Sequence, residues 1–184
     1  MSDDPKLNRF SPRFVVDVKT RQRTWRHLGE YLFPAVAAGA AEIQRNGGLV
    51  GIGSPGEMPG IGMHWEMEAH VMGGMTPLEA LHAATMGSAE TIGRQAEFGS
   101  IETGKFADLV ILTKDPRQNI RNSLAIQQVM KNGRLYDGST LDEVWPRQRR
   151  LPEPWYVHDV PSGGSVEEFP KPPDLDEPQK KERS

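Results

Sequence analysis

Between Glu30 and Asn46 the apolar residues Leu32, Val36, Ala40 and Ile43 recur at helical spacing, and Gly47-Gly48 follows where a left-handed cap is needed. The pattern predicts one helix ending at Asn46. The next run, Leu49-Val50-Gly51-Ile52-Gly53, has almost no polar alternation, which is how a strand covered on both faces of a parallel sheet reads. A second helix is predicted from near His64 to Met72, with Trp65, Ala69 and Met72 on one stripe and Gly73-Gly74 ending it. Thr76-Pro77-Leu78-Glu79 then has the form of a capping box with proline at the first helical position, followed by Leu78, Leu81 and Thr85 at helical spacing. Ser88 is read as the cap of one more short helix, stopped by Gly93.

Beyond this point the pattern changes period. Asp108 to Leu112 and Ile126 to Lys131 read as strands, and Asp115-Pro116 as a turn or cap. Asn132-Gly133 turns the chain into Arg134-Leu135-Tyr136, a strong hairpin signal. The order is therefore helix, strand, helix, helix and a small antiparallel piece. The strand at Leu49–Gly53 has no parallel partner in this order, so its neighbours must come from a second copy, a partner chain or the rest of a larger fold. From Pro161 to Ser184 proline, glycine, serine and charge alternate, and a solvated, disordered tail is expected. Its Pro170-Lys171-Pro172-Pro173 fits a PxxP ligand only formally.

Composition narrows the function classes. The 184 residues suit one domain with an appendage, and a net charge of -3 supplies no field for phosphate backbones or anionic lipid, so neither nucleic acid nor membrane is an expected partner. The basic cluster Lys19, Arg21, Arg23 and Arg26 is partly offset by Asp3, Asp4 and Asp17 and reads as a solvated loop. With no cysteine, disulfides, thiolate metal sites and a Cys nucleophile are excluded, so any metal must use His, Asp or Glu. The run from Tyr31 to Ala41 is too short to span a bilayer, and the opening MSDDPKLNRF lacks the apolar core of a secretory signal; the compartment stays open.

Three stretches carry a family resemblance. Residues Gly99 to Leu112 (GSIETGKFADLVIL) resemble the GSIExGKxADLVxL signature of the amidohydrolase superfamily, and Met75 to Thr85 (MTPLEALHAAT) resembles the helix that precedes it. Gly51-Ile52-Gly53-Ser54-Pro55-Gly56-Glu57 and Gly60 to Met67 narrow the likeness to the imidazolonepropionase- and prolidase-like branch, including members joined to a β-propeller. The resemblance implies an α/β fold: the C-terminal end of a (β/α)₈ barrel, with its last strand and closing helices (residues 1–98), part of a small β-sandwich (99–145) and a Pro-rich extended tail (146–184).

In the resembled family a divalent metal, zinc being the foremost candidate, activates water against C–N bonds at the C-terminal ends of the barrel strands. The resemblance therefore implies a metal-dependent hydrolase of amide-like or cyclic C–N bonds in small molecules. Most of the ligand-bearing strands have no counterpart here. The histidines, His27, His64, His70, His82 and His158, show neither HxH nor HExxH spacing, and Pro55 stands where the ligand after strand eight is expected. Proline offers no side-chain donor or lone pair, so no metal and no stand-alone catalysis are expected of this chain.

Ser54, Glu57, His64 and Glu66 are the substrate-pocket candidates, because barrel enzymes place recognition groups on loops after their strands. Glu66 and His70 lie four apart, a spacing that suits an ion pair or two metal ligands. Lys105 and Asp108 belong to the signature but read as organisers of the turn into a strand. The alternative to a hydrolase portion is a non-catalytic assembly subunit, whose self-association or partner chain would complete a barrel.

Overall fold

The computed structural model describes residues 5–21, 30–53, 58, 60–154 and 156. Two short helices come first, α1 (Pro5–Phe10) and α2 (Arg13–Arg21). The helical group α3 (Phe33–Arg45), α4 (Ile61–Met72) and α5 (Pro77–His82) follows, and α5 runs through a π-helical turn (Ala83–Gly87) into α6 (Ser88–Thr91). The remainder is an antiparallel meander, β1 (Leu109–Leu112), β2 (Ile126–Lys131), β3 (Arg134–Asp137) and β4 (Glu143–Trp145), in the order β1-β2-β3-β4. A 3₁₀ helix (Ile120–Leu124) leads into β2.

Local signals place several elements where the sequence predicts them. Thr76 closes the capping box: its hydroxyl accepts from the Glu79 N–H, and the Glu79 carboxylate accepts from the Thr76 N–H. Asn132 and Gly133 both take positive φ, 49° and 75°, so the β2–β3 hairpin turns through the tight pair that glycine at the second position permits. Lys131 lies opposite Arg134 and Val129 opposite Tyr136, in unbroken register. Asp108 ties this turn to the start of β1, accepting from the Asn132 N–H and pairing with Lys131. Lys105 donates to Ser100 Oγ at 2.6 Å and faces Glu102 at 3.3 Å, organising the loop before it.

Four expectations are corrected. Leu49–Gly53 forms no strand among the described residues, because no other strand of the chain lies beside it to share a ladder. The helix predicted from Glu30 begins at Phe33, and its buried residues are Ala37 and Ala41, while Leu32 (77% exposed), Val36 (71%) and Ile43 (55%) lie open. Small residues win this face because α3 and α4 approach backbone to backbone: a Cβ on Gly73 would overlap Ala37. On α4 the core residue is Met67, while Met72 of the predicted stripe is exposed, and on α5 burial falls on Ala80 rather than Leu78. Ser88 caps nothing; it has helical φ and ψ of -65° and -41° inside the continuous α5–α6 path.

Two apolar clusters hold the described residues together. The larger joins Ala41, Ile52, Met67, Met75, Ala80 and Ala83 with Ile120 of the 3₁₀ helix. The smaller joins Leu7, Val16 and Met58 with Ile61 and Trp65. Ile120 thereby anchors the lead-in to β2 against the helices. The disordered tail expected from Pro161 to Ser184 lies outside the described residues.

Candidate functional site

The stretch just before the predicted substrate loop is held by the α5–α6 path. Ser88 Oγ accepts from the Ile52 N–H at 3.0 Å and lies 3.0 Å from the Ile52 carbonyl oxygen and 2.8 Å from that of Ala83. Its single proton is shared between the two carbonyls. The Ser88 N–H also bonds to the Ala83 carbonyl, the i→i−5 link of the π-helical turn. Close approach depends on glycine on both sides. A Cβ on Gly87 would overlap the Val50 carbonyl oxygen, and one on Gly51 would stand 3.0 Å from Thr91 Oγ1 and 3.3 Å from Ser88 Cα. With Ile52 buried in the main cluster, the chain reaches Gly53 in a fixed course.

Ser54, Pro55 and Glu57 lie outside the described residues. His64 and Glu66 both stand on α4 but are not brought together: two positions along a helix turn the side chain through about 200°. His64 points to the 3₁₀ helix, where its Nδ1 is 2.9 Å from Ser123 Oγ. Burial, and secondarily the charge of Lys6, hold its pKa below the ordinary histidine value, which favours the neutral ring. One turn further on the same side, Glu68 accepts from Arg121 Nε at 2.7 Å. The two contacts join α4 to the segment around Ile120.

Glu66 and His70 occupy another face. Glu66 Oε2 and His70 Nδ1 are buried without a hydrogen-bond partner among the described residues, and no ion pair joins the two side chains there. His82 is exposed at the end of α5, and His27 and His158 lie outside the described residues.

The metal that the family resemblance implies finds no home in this donor set. Among the described residues no group of three His, Asp or Glu side chains gathers where an ion could sit, so no chemical step is derived through a metal. What the arrangement offers is a backbone held at Ile52, with one half-buried imidazole engaged on its Nδ1 side. Sequence reasoning missed Ser88 as a clamp and Ser123 as the partner of His64. A serine inside a predicted helical run, facing a glycine-rich apolar stretch, was the available signal for Ser88.

Comparison with known proteins bears on all of this. The model of the amidohydrolase family matches residues 39–136. The imidazolonepropionase of Symbiobacterium thermophilum is 38% identical over 111 residues, 56% of this chain and 26% of that protein. The ochratoxinase of Aspergillus niger is 36% identical over 84 residues, 44% of this chain and 17% of that protein. Among solved structures, a Xaa-Pro dipeptidase with bound methionine in its active site superposes with a TM-score of 0.52 at 24% identity, over 73% of this chain and 34% of that one, a likeness of fold. The chain spans about a quarter or less of the length of these two relatives. With the family model covering more than half of its residues, from α3 to β3, the chain belongs to the amidohydrolase family.

Proposed function

We propose that this chain is the C-terminal portion of a metal-dependent hydrolase of C–N bonds in small molecules, supplying the end of the barrel and part of the sheet beside it. The observation that carries the reading is the run Val50–Gly53. It is held by Ser88 and by Ile52's burial, with no strand beside it among the described residues, inside the stretch matched by the family model. A barrel strand that has lost its neighbours is left in that condition.

In the complete barrel the metal, zinc foremost, would be held by strands upstream of this chain and would supply the activated water. The residues here would shape the wall of the pocket, with Ser54, Glu57, His64 and Glu66 as candidates for substrate contact. His64 would contribute through its Nε2 side, since Nδ1 is engaged with Ser123.

Incubated with zinc and a panel of amides, lactones and dipeptides, the chain alone is expected to show no turnover; hydrolysis above background would refute its inactivity. A chimaera carrying residues 39–136 in place of the matching stretch of Symbiobacterium thermophilum imidazolonepropionase is expected to be soluble and to bind metal through the relative's own strands. An insoluble, metal-free chimaera would contradict the barrel-completing reading.

A second reading, a non-catalytic assembly subunit completing a partner's barrel, is favoured by the open apolar side of α3 at Leu32, Val36 and Ile43.

A further inference from the structure

A strand in a barrel is held in place by the ladders on its two sides. Among the described residues Ile52 has no such ladder, yet its N–H and its C=O each meet a hydrogen-bonding partner, and the partner is the same hydroxyl. Ser88 Oγ thus accepts from the Ile52 N–H and faces the Ile52 C=O with a proton that it shares with the nearer Ala83 carbonyl.

The hydroxyl is placed for this by the helix that carries it. The π-helical turn puts Ser88 where its N–H and Oγ both reach the Ala83 carbonyl, which fixes the rotamer. Gly87 and Gly51 leave the room for the approach, since a Cβ on Gly87 would collide with the Val50 carbonyl. The neighbouring Thr91 Oγ1 is satisfied separately by the Gly87 carbonyl at 2.7 Å, so it does not compete for Ile52.

We infer that Ser88 is a positioning residue, which sets the backbone of Val50–Gly53 by clamping Ile52 and so fixes the course of the chain as far as Gly53. Alanine in its place would take away the described partner of the Ile52 N–H and C=O, leaving among the described residues the apolar contacts of the Ile52 side chain to hold the stretch. The consequence for substrate rests on the proposed function above, that residues after Gly53 line a pocket. The clamp itself does not rest on it.

The test is amide hydrogen exchange on the full chain, read residue by residue, for wild type, Ser88→Ala and Ser88→Thr. In Ser88→Ala the Ile52 amide is expected to exchange about fivefold faster, the loss of one net hydrogen bond converted to an opening constant. Met67 and Ala80 should keep their protection, and threonine, which retains the hydroxyl, should restore that of Ile52. Unchanged exchange at Ile52 in Ser88→Ala would overturn the inference. So would equal acceleration at Met67 and Ala80, which would make Ser88 a general packing residue of the helix. If the clamp is confirmed while no substrate is ever turned over by a completed barrel, the functional reading fails and the positioning role stands.

Discussion

His64 shows how a residue of a family motif acquires a physical assignment. The sequence marks it for a pocket; the structure gives its Nδ1 to Ser123 and puts the ring in partly dry surroundings with Lys6 nearby. Its folded-state pKa lies below the unfolded value of about 6.5. The sign follows: above that value both states carry a neutral ring and its contribution is fully present. As pH falls below it the unfolded chain takes up the proton first and stability is lost, until the folded-state pKa is passed. Thermal unfolding of wild type should therefore lose stability more steeply than His64→Gln as pH falls below about 6.5. Parallel curves would show that His64 does not titrate differently on folding. Ser123→Ala should cost about 1 kcal/mol at neutral pH, as expected for one net hydrogen bond, and much less in the His64→Gln background, read from denaturant midpoints.

Elements with a local chemical signature were legible in the sequence. The capping box at Thr76 and the Asn132-Gly133 turn are set by a handful of adjacent residues, and both form as predicted. Thr76→Ala should destabilise the chain by about 1 kcal/mol. Glu79 is held below the usual carboxylate range first by the Thr76 N–H, so its half of the box operates at neutral pH and is lost as acid brings it to protonation. Urea unfolding of Glu79→Ala, which removes the carboxylate, against wild type should thus show a gap that narrows on acidification below about pH 4.5; a constant gap would mean the carboxylate plays no part. Asp108 is likewise held low, by Lys131 and then the Asn132 N–H.

Other elements were not legible, for reasons of tertiary origin. Periodicity announces an apolar face on α3 but cannot tell that Ala37 and Ala41 will be buried while Leu32 and Val36 stay open. That choice is made by the close crossing at Gly73. A continuous apolar run such as Leu49–Gly53 has strand chemistry, yet a strand is a property of pairs of segments. The 3₁₀ helix Ile120–Leu124 was hidden in a short polar stretch, although Asn119 caps it by accepting from the Arg121 N–H. β4 is only three residues long and gave no alternation to read. Gly87→Ala, which drives a methyl group into the Val50 carbonyl, should cost about 1–3 kcal/mol as overpacking does; a neutral substitution would show that the approach of residues 50–53 to the helix is loose.

At the scale of the whole molecule, the described residues make a helical group and an open sheet whose apolar content is only partly covered. Leu32, Val36, Ile43 and Leu49 on the helical side and Val110 on β1 are more than half exposed. Large exposed apolar side chains in such number favour association, so light scattering on the purified chain should give a mass above 20.5 kDa that rises with concentration. A compact monomer with one cooperative melt would speak against any missing neighbour. The family is legible in short motifs because they encode turns and caps that the fold reuses. The site is not, because a pocket of the proposed barrel would be assembled from strands far apart in sequence.

The most direct measurement is metal content after saturation with zinc and exhaustive dialysis. With no gathering of three His, Asp or Glu side chains among the described residues, well under one zinc per chain is predicted. One tightly held zinc per chain, lost on replacing His64, Glu66 or His70, would contradict the claim that this portion depends on other strands for its chemistry.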